Sequence, residues 1–279
     1  MQFTEADDLI DIRYDNVFKA VFTKNTPESQ KALSGLVSSL IKRDVSIVAI
    51  TANEPPIENL RDRQIRFDIN CIADNGELIN VEMCLNPEPF EPVRLEFYIG
   101  KLFTGQDVRG SDKSYDDLKQ AYQIAILSKE RFFPDESFFH TFVYYDPIHQ
   151  MPLNGKSQII TIELSKLDKV LEKPIKEMDT HEYWALYFKY LTDKSKRKMI
   201  NDIISKEEGI AMASEVLMTI SKDQIERARL MSEYKYEMDL QSMKVHAKRE
   251  GRKEEKQEVL NLLKSGKSLE QIIKEYEEQ

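Results

Sequence analysis

Ile65-Arg66-Phe67-Asp68-Ile69-Asn70-Cys71-Ile72 and Leu78-Ile79-Asn80-Val81-Glu82-Met83-Cys84, joined through Asp74-Asn75-Gly76, decide the fold of this chain. Apolar and polar residues alternate in both flanks, the period of a half-buried strand, and the Asn-Gly pair is a strong hairpin-turn signal. Asp68 and Glu82 stand seven positions either side of Asn75. A pairing closed over Asn75 therefore sets them opposite each other, with Cβ atoms about 5 Å apart. Two carboxylates at that spacing repel unless a proton or cation stands between them. A hard divalent cation such as Mg²⁺ suits an all-oxygen pair.

A solvated polar face would explain an Asp and a Glu equally well. Against it, Asp is a poor strand former, yet Asp68 stands mid-run. Asn80, Glu82 and Cys84 share one face, and Arg66 and Asn70 extend the stripe beside Asp68.

The 279 residues, 41% of them apolar, suffice for one sizeable core and an appendage. Cys71 and Cys84 are the two cysteines; they fall out of register across the hairpin, so no disulfide framework is expected, and a reducing cytoplasm is. His140, His149, His181 and His246 are scattered without zinc-like spacing. No apolar run approaches the roughly 20 residues of a membrane span, and the acidic N-terminus is unlike a secretion signal. A net charge of −9 argues against broad nonspecific nucleic-acid binding. Local basic faces remain at Lys194, Lys196, Arg197 and Lys198, and along Lys244–Lys256, where alternating Glu residues favour a solvated helix.

Outward from the hairpin, apolar spacing predicts helices over 15–24 and 28–42, the second capped by Thr26 ahead of Pro27. A strand is expected at 45–50 and a loop at Pro55-Pro56. A helix is expected over 91–104, then a turn capped by Ser114. Strands follow at 122–127, 141–145 and 158–164. Beyond these the β signal stops. An aromatic helix is expected at 181–191, nearly continuous helix at 197–256 with a weak point at Gly251, and two short helices about Gly266, a low-specificity helical hairpin.

This order resembles the αβββαβ core of the PD-(D/E)xK nucleases. More particularly, it resembles the Rpn-type recombination-promoting nucleases, the PD-(D/E)xK nuclease family transposases. The matching pieces are Asp15-x-x-Phe18-Lys19-x-x-Phe22, Asp68-Ile69, Gly76-Glu77-Leu78-x-Asn80-Val81-Glu82-Met83, Arg94-x-x-x-Tyr98, Tyr115-x-x-Leu118, His140 and Ile162-Glu163-Leu164-x-Lys166. The resemblance implies an α/β, restriction-endonuclease-like core over 1–175, with a mixed central sheet flanked by helices. An all-helical region over 176–279, with a long charged helix and a short tail, would follow. It further implies a Mg²⁺- or Mn²⁺-dependent DNA endonuclease in which Asp68, Glu82 and the Met83 carbonyl hold the metal, with Asp15, Lys19 and Arg94 in support.

Cys84 departs from that pattern, which carries Lys or Gln there. A neutral thiol is a weak donor without positive charge. Three outcomes follow: slower catalysis by metal and carboxylates alone, a cation supplied from elsewhere (Lys19, Arg94 or Lys101), or an inert copy acting in DNA binding or in oligomeric assembly through the C-terminal helices. Phe18, Phe22 and Tyr98 read as core, Glu163 and Lys166 as structural, and Asp15 as a helix cap or distal ligand. A nucleotide hydrolase lacks a Gly-rich phosphate loop, and a Cys hydrolase lacks a His near Cys84.

Overall fold

The computed structural model describes residues 2–51, 67–106, 114–129 and 131–264. Arg66, the Pro55-Pro56 loop and the tail around Gly266 lie outside them. Two compact units are present, Met1–Ala228 and Arg229–Gln279.

The first unit opens with α1 (Asp15–Thr23) and α2 (Pro27–Ile41). Val17, Phe18, Val21 and Phe22 form the buried stripe of α1. Thr26 Oγ1 accepts from Ser29 N–H at 3.3 Å, the expected cap. Strands β1 (Ile47–Ile50), β2 (Ile69–Ala73) and β3 (Leu78–Cys84) lead to α3 (Glu91–Thr104), the span expected. Ser114 caps a short 3₁₀ turn before β4 (Ala121–Leu127). The run expected as one strand at 141–145 is divided: β5 is Phe139–Phe142, and Tyr145–Asp146 (β6) pairs instead with Met151–Pro152 (β7). Strand β8 (Ser157–Glu163) completes a six-stranded mixed sheet ordered β1-β2-β3-β4-β8-β5.

One sheet face is apolar: Ile79, Val81, Ile124, Ile126, Ile160 and Ile162 are all buried. The other carries the polar residues of β3 in a row with β4 and β8, and α3 packs there through Leu95, Ile99 and Leu102. The parallel strands β3, β4 and β8 occupy the sheet interior, where burial on both faces is expected.

After α4 (Asp168–Leu171), helices α5 (Thr180–Tyr190) and α7 (Glu208–Lys222) pack with α1 and α2, and α6 (Arg197–Ile204) packs on α5 and α7. The continuous helix expected over 197–256 is broken twice. Glu207 accepts from Gly209 N–H and starts α7, and Asp223 Oδ1 accepts from Ile225 and Glu226 N–H at 3.0 Å and starts α8 (Gln224–Lys264). Side-chain caps of this kind end one helix by offering the next one its first hydrogen bonds. Gly251 does not interrupt α8. Arg197, read as part of a basic face, is buried and donates to Leu191 O at 3.1 Å. Helices α2 and α7 meet at backbone distance: a Cβ on Gly209 would lie 3.0 Å from Gly35 Cα and 3.2 Å from Trp184 Cζ2.

Candidate active site

The hairpin forms in the expected register. Ile69 pairs with Val81, Asn70 with Asn80, Cys71 with Ile79 and Ile72 with Leu78. Gly76 takes φ +84°, the left-handed conformation that closes the turn. One step beyond Ile69–Val81, Asp68 faces Glu82, and each carboxylate accepts a hydrogen bond from the opposite strand. Asp68 N–H donates to Glu82 Oε1 at 3.1 Å, and Met83 N–H donates to Asp68 Oδ2 at 3.0 Å. In a strand, the N–H and C=O of one residue point to the same side. The Met83 carbonyl therefore also turns toward Asp68.

Asn80 holds Glu82 from beneath. Its Nδ2 donates to Glu82 Oε1 and to Gln123 Oε1, both at 2.8 Å. Glu82 is 2% exposed, while the Asp68 side chain retains 13%. Burial pushes both carboxyls above the ordinary range, and Asp68 is raised further by Glu82 and Asp15.

Two cations flank the pair. From α1, Lys19 Nζ lies 2.8 Å from Asp15 Oδ2 and 3.0 Å from Asp68 Oδ1. Burial works against the Lys19 charge, but Asp68 and Asp15 outweigh it and hold its pKa above the usual lysine range. Asp15 does not act as an N-cap; Tyr14 is the cap residue, and Asp15 stands in the first turn within hydrogen-bonding reach of Asp68. One oxygen of Asp15, Oδ1, is buried without a hydrogen-bond donor.

From α3, Arg94 Nη1 lies 3.8 Å from Glu82 Oε2, and Nη2 lies 3.1 Å from Cys84 Sγ. Glu91, one helical turn earlier, accepts from Arg94 Nε at 2.8 Å, and the guanidinium lies 5.3 Å from the Tyr98 ring centroid. Arg94 is held charged by Glu91 and Glu82 against the opposing effect of burial. Burial, then Glu91, pushes the Cys84 thiol well up, so it stays neutral. Lys101, by contrast, is exposed and lies 5.9 Å from the Phe97 ring centroid.

The arrangement thus brings together Asp15, Lys19, Asp68, Glu82, Met83, Cys84 and Arg94, and leaves Lys101 outside. Sequence reasoning missed Glu91 and Gln123. Their signals were an acidic residue three before Arg94 on a helix, and one amide inside an otherwise apolar strand.

A second group, Asp135, His140 and Glu163, has ligand-type atoms all within 4.8 Å of one another. It already holds a cation. The fully buried Lys166 ammonium lies 2.5 Å from Glu163 Oε2, 3.3 Å from Asp135 Oδ1 and 2.8 Å from Phe133 O. This group does not fit a metal without displacing that lysine. The Asp68–Glu82 pair fits better: its donors are oxygens, the Lys19 side chain that meets Asp68 Oδ1 at 3.0 Å is 19% exposed where that of Lys166 has no exposed surface, and Asp15 Oδ1 has no donor.

Among the described residues no helix is long and apolar enough to cross a membrane. No curated protein and no solved structure matches the chain. The family model described as PD-(D/E)XK nuclease family transposase matches residues 12–247, from the approach to α1 through the sheet and into α8. With the hairpin carboxylates in place and most of its length covered by that model, the chain belongs to the PD-(D/E)XK nuclease family transposases, a family of nuclease type.

Proposed function

We propose that this protein is a Mg²⁺- or Mn²⁺-dependent DNA endonuclease whose metal is held by Asp68, Glu82 and the Met83 carbonyl. The observation that carries this reading is the mutual lacing of Asp68 and Glu82 across β2 and β3, with Arg94 at its rim. The bound ion would polarise the scissile phosphate and favour ionisation of the attacking water. The chain's own residues do the rest. Asn80 and Met83 N–H fix the two carboxylates, so little reorganisation is needed when substrate arrives. Asp15 and Lys19 form a second rank behind Asp68.

Cys84 cannot supply the charge that Lys would bring to its position. Arg94 reaches over it from α3 and puts a guanidinium beside Glu82, placed to meet a phosphate oxygen. Cys84 serves as a neutral support for that guanidinium. The helical region after residue 175 is proposed to serve grip on DNA and self-assembly, and two unpaired, buried cysteines suit a cytoplasmic setting.

Nicking of supercoiled DNA, with and without Mn²⁺, tests the reading. Wild type should nick only with metal, Arg94→Lys should retain part of the rate and Arg94→Met should lose it. Folded wild type that nicks under no metal condition would leave a DNA-binding or assembly protein as the surviving alternative.

A further inference from the structure

Helix α3, which carries Arg94, and its N-cap Phe90 leave large apolar side chains in the open. Phe90, Val93 and Phe97 are 58%, 67% and 50% exposed. Helical geometry places them. At 100° per residue, Phe90 and Phe97 lie about 40° and 60° round the helix from Arg94, on the side away from the core-facing Leu95. Arg94 and Tyr98 form the cleft edge of α3, so the aromatic stripe continues that edge outward. Lys101 lies on the same flank, its Nζ 5.9 Å from the Phe97 centroid. A side chain at Gly100 would meet nothing within 4 Å, so the surface beside Phe97 is open.

We propose that Phe90 and Phe97 are stacking platforms for unpaired bases of the substrate strand, with Arg94 and Lys101 meeting the phosphates between them. The chain would thus favour single-stranded or locally unpaired DNA. This rests on the nuclease reading above and adds a substrate class to it. The chemistry follows from alternation of flat apolar faces with cations, which suits a polymer of flat bases and anionic links. A double helix hides its base faces and cannot use exposed rings in this way. A purely apolar partner would have no use for the two cations among the rings.

The test is a fluorescence-anisotropy titration of the full chain in chelator, so that nothing is cut. The probes are a labelled oligothymidylate, a base-free oligomer of equal length and a matched duplex. Both phenylalanines are exposed, so Phe90→Ala and Phe97→Ala should melt as wild type does. Each should bind oligothymidylate about tenfold more weakly, the value of one base–aromatic stack, and duplex unchanged. Wild type should bind the base-free oligomer more weakly than oligothymidylate. Equal affinity of wild type for the two single strands, or unchanged affinity in both variants, overturns the stacking role while leaving the nuclease reading intact. Absence of binding to all three probes overturns the stacking role, and the nicking assay with Mn²⁺ decides the nuclease reading separately. Variants that alter only the light-scattering mass of the protein would identify the stripe as a contact between copies, and overturn the proposal.

Discussion

Two clusters of acidic side chains occupy the same face of one sheet and meet opposite fates. Around Glu163 the charge is closed: Lys166 and Glu163 have no exposed side-chain surface, and Phe132 and Phe133 N–H both donate to Glu163 Oε1. Around Asp68 and Glu82 the charge is left open. Lys19 and Arg94 stand at the edges, and the Arg94 side chain is 30% exposed. A buried pair with its own ammonium fixes structure: it pins the chain around Phe133 to the end of β8. A buried pair opposite one another, with Lys19 on Asp68 alone and Arg94 at 3.8 Å from Glu82, is held at a cost in stability. That cost is what the proposed metal site would carry.

The comparison breaks most sharply at the open pair. Asp68→Asn or Glu82→Gln should cut metal-dependent nicking by about ten-thousandfold, since metal assistance is worth several kcal/mol. In chelator the same variants should melt no lower than wild type, because each removes a buried carboxyl that burial disfavours. A clear loss of metal-free stability would place the open pair in the structural class with Glu163.

At the closed cluster the expected result is reversed. Lys166→Met strands a buried carboxylate and should cost about 3–5 kcal/mol, read by urea unfolding. Its metal response should survive. Mn²⁺ at a hundred times its dissociation constant should stabilise wild type and Lys166→Met alike by about 2.7 kcal/mol, and Asp68→Ala not at all. A metal response lost with Lys166 or His140 and kept without Asp68 would move the metal site to the other cluster.

The smallest expected effect is in pH. Hydrogen bonds from His140 and then Lys166 hold the exposed Asp135 below the usual carboxylate range. Its contribution is present above the unfolded pKa, about 3.9, and is lost as pH falls through the lowered folded value. Asp68 is raised, chiefly by burial, so its contribution is present below about pH 3.9 and lost as pH rises through the raised value. In chelator, Asp135→Asn should flatten the acid limb of melting temperature against pH, and Asp68→Asn the limb above it. The same slope change from both would erase the distinction.

Much of this was legible because a hairpin with a two-fold period has little freedom. The Asn75-Gly76 turn and the alternation fixed register, and register placed Asp68 against Glu82. The α3 span followed from Leu95, Ile99 and Leu102 on one face. What could not be read was lateral. Nothing local says that β8 inserts between β4 and β5, since parallel neighbours are joined by long connections. Without that order, Glu163 could be seen as structural, but not as lying in the same row as Cys84 and Leu127. Arg94 was nameable, whereas its clamp between Glu91 and Cys84 depends on how α3 lies on the sheet. The helix breaks at Glu207 and Asp223 hid because both residues also suit helix interiors or first turns.

The backbone-to-backbone crossing at Gly35 and Gly209 bears on how the chain matures. One half of that joint is made more than a hundred residues before the other. Until α7 leaves the ribosome, α2 has α1, β1 and α5 against it but lacks its most extensive contact. Nascent chains should therefore stay more protease-sensitive in α2 until that late segment emerges, whatever progress the sheet has made.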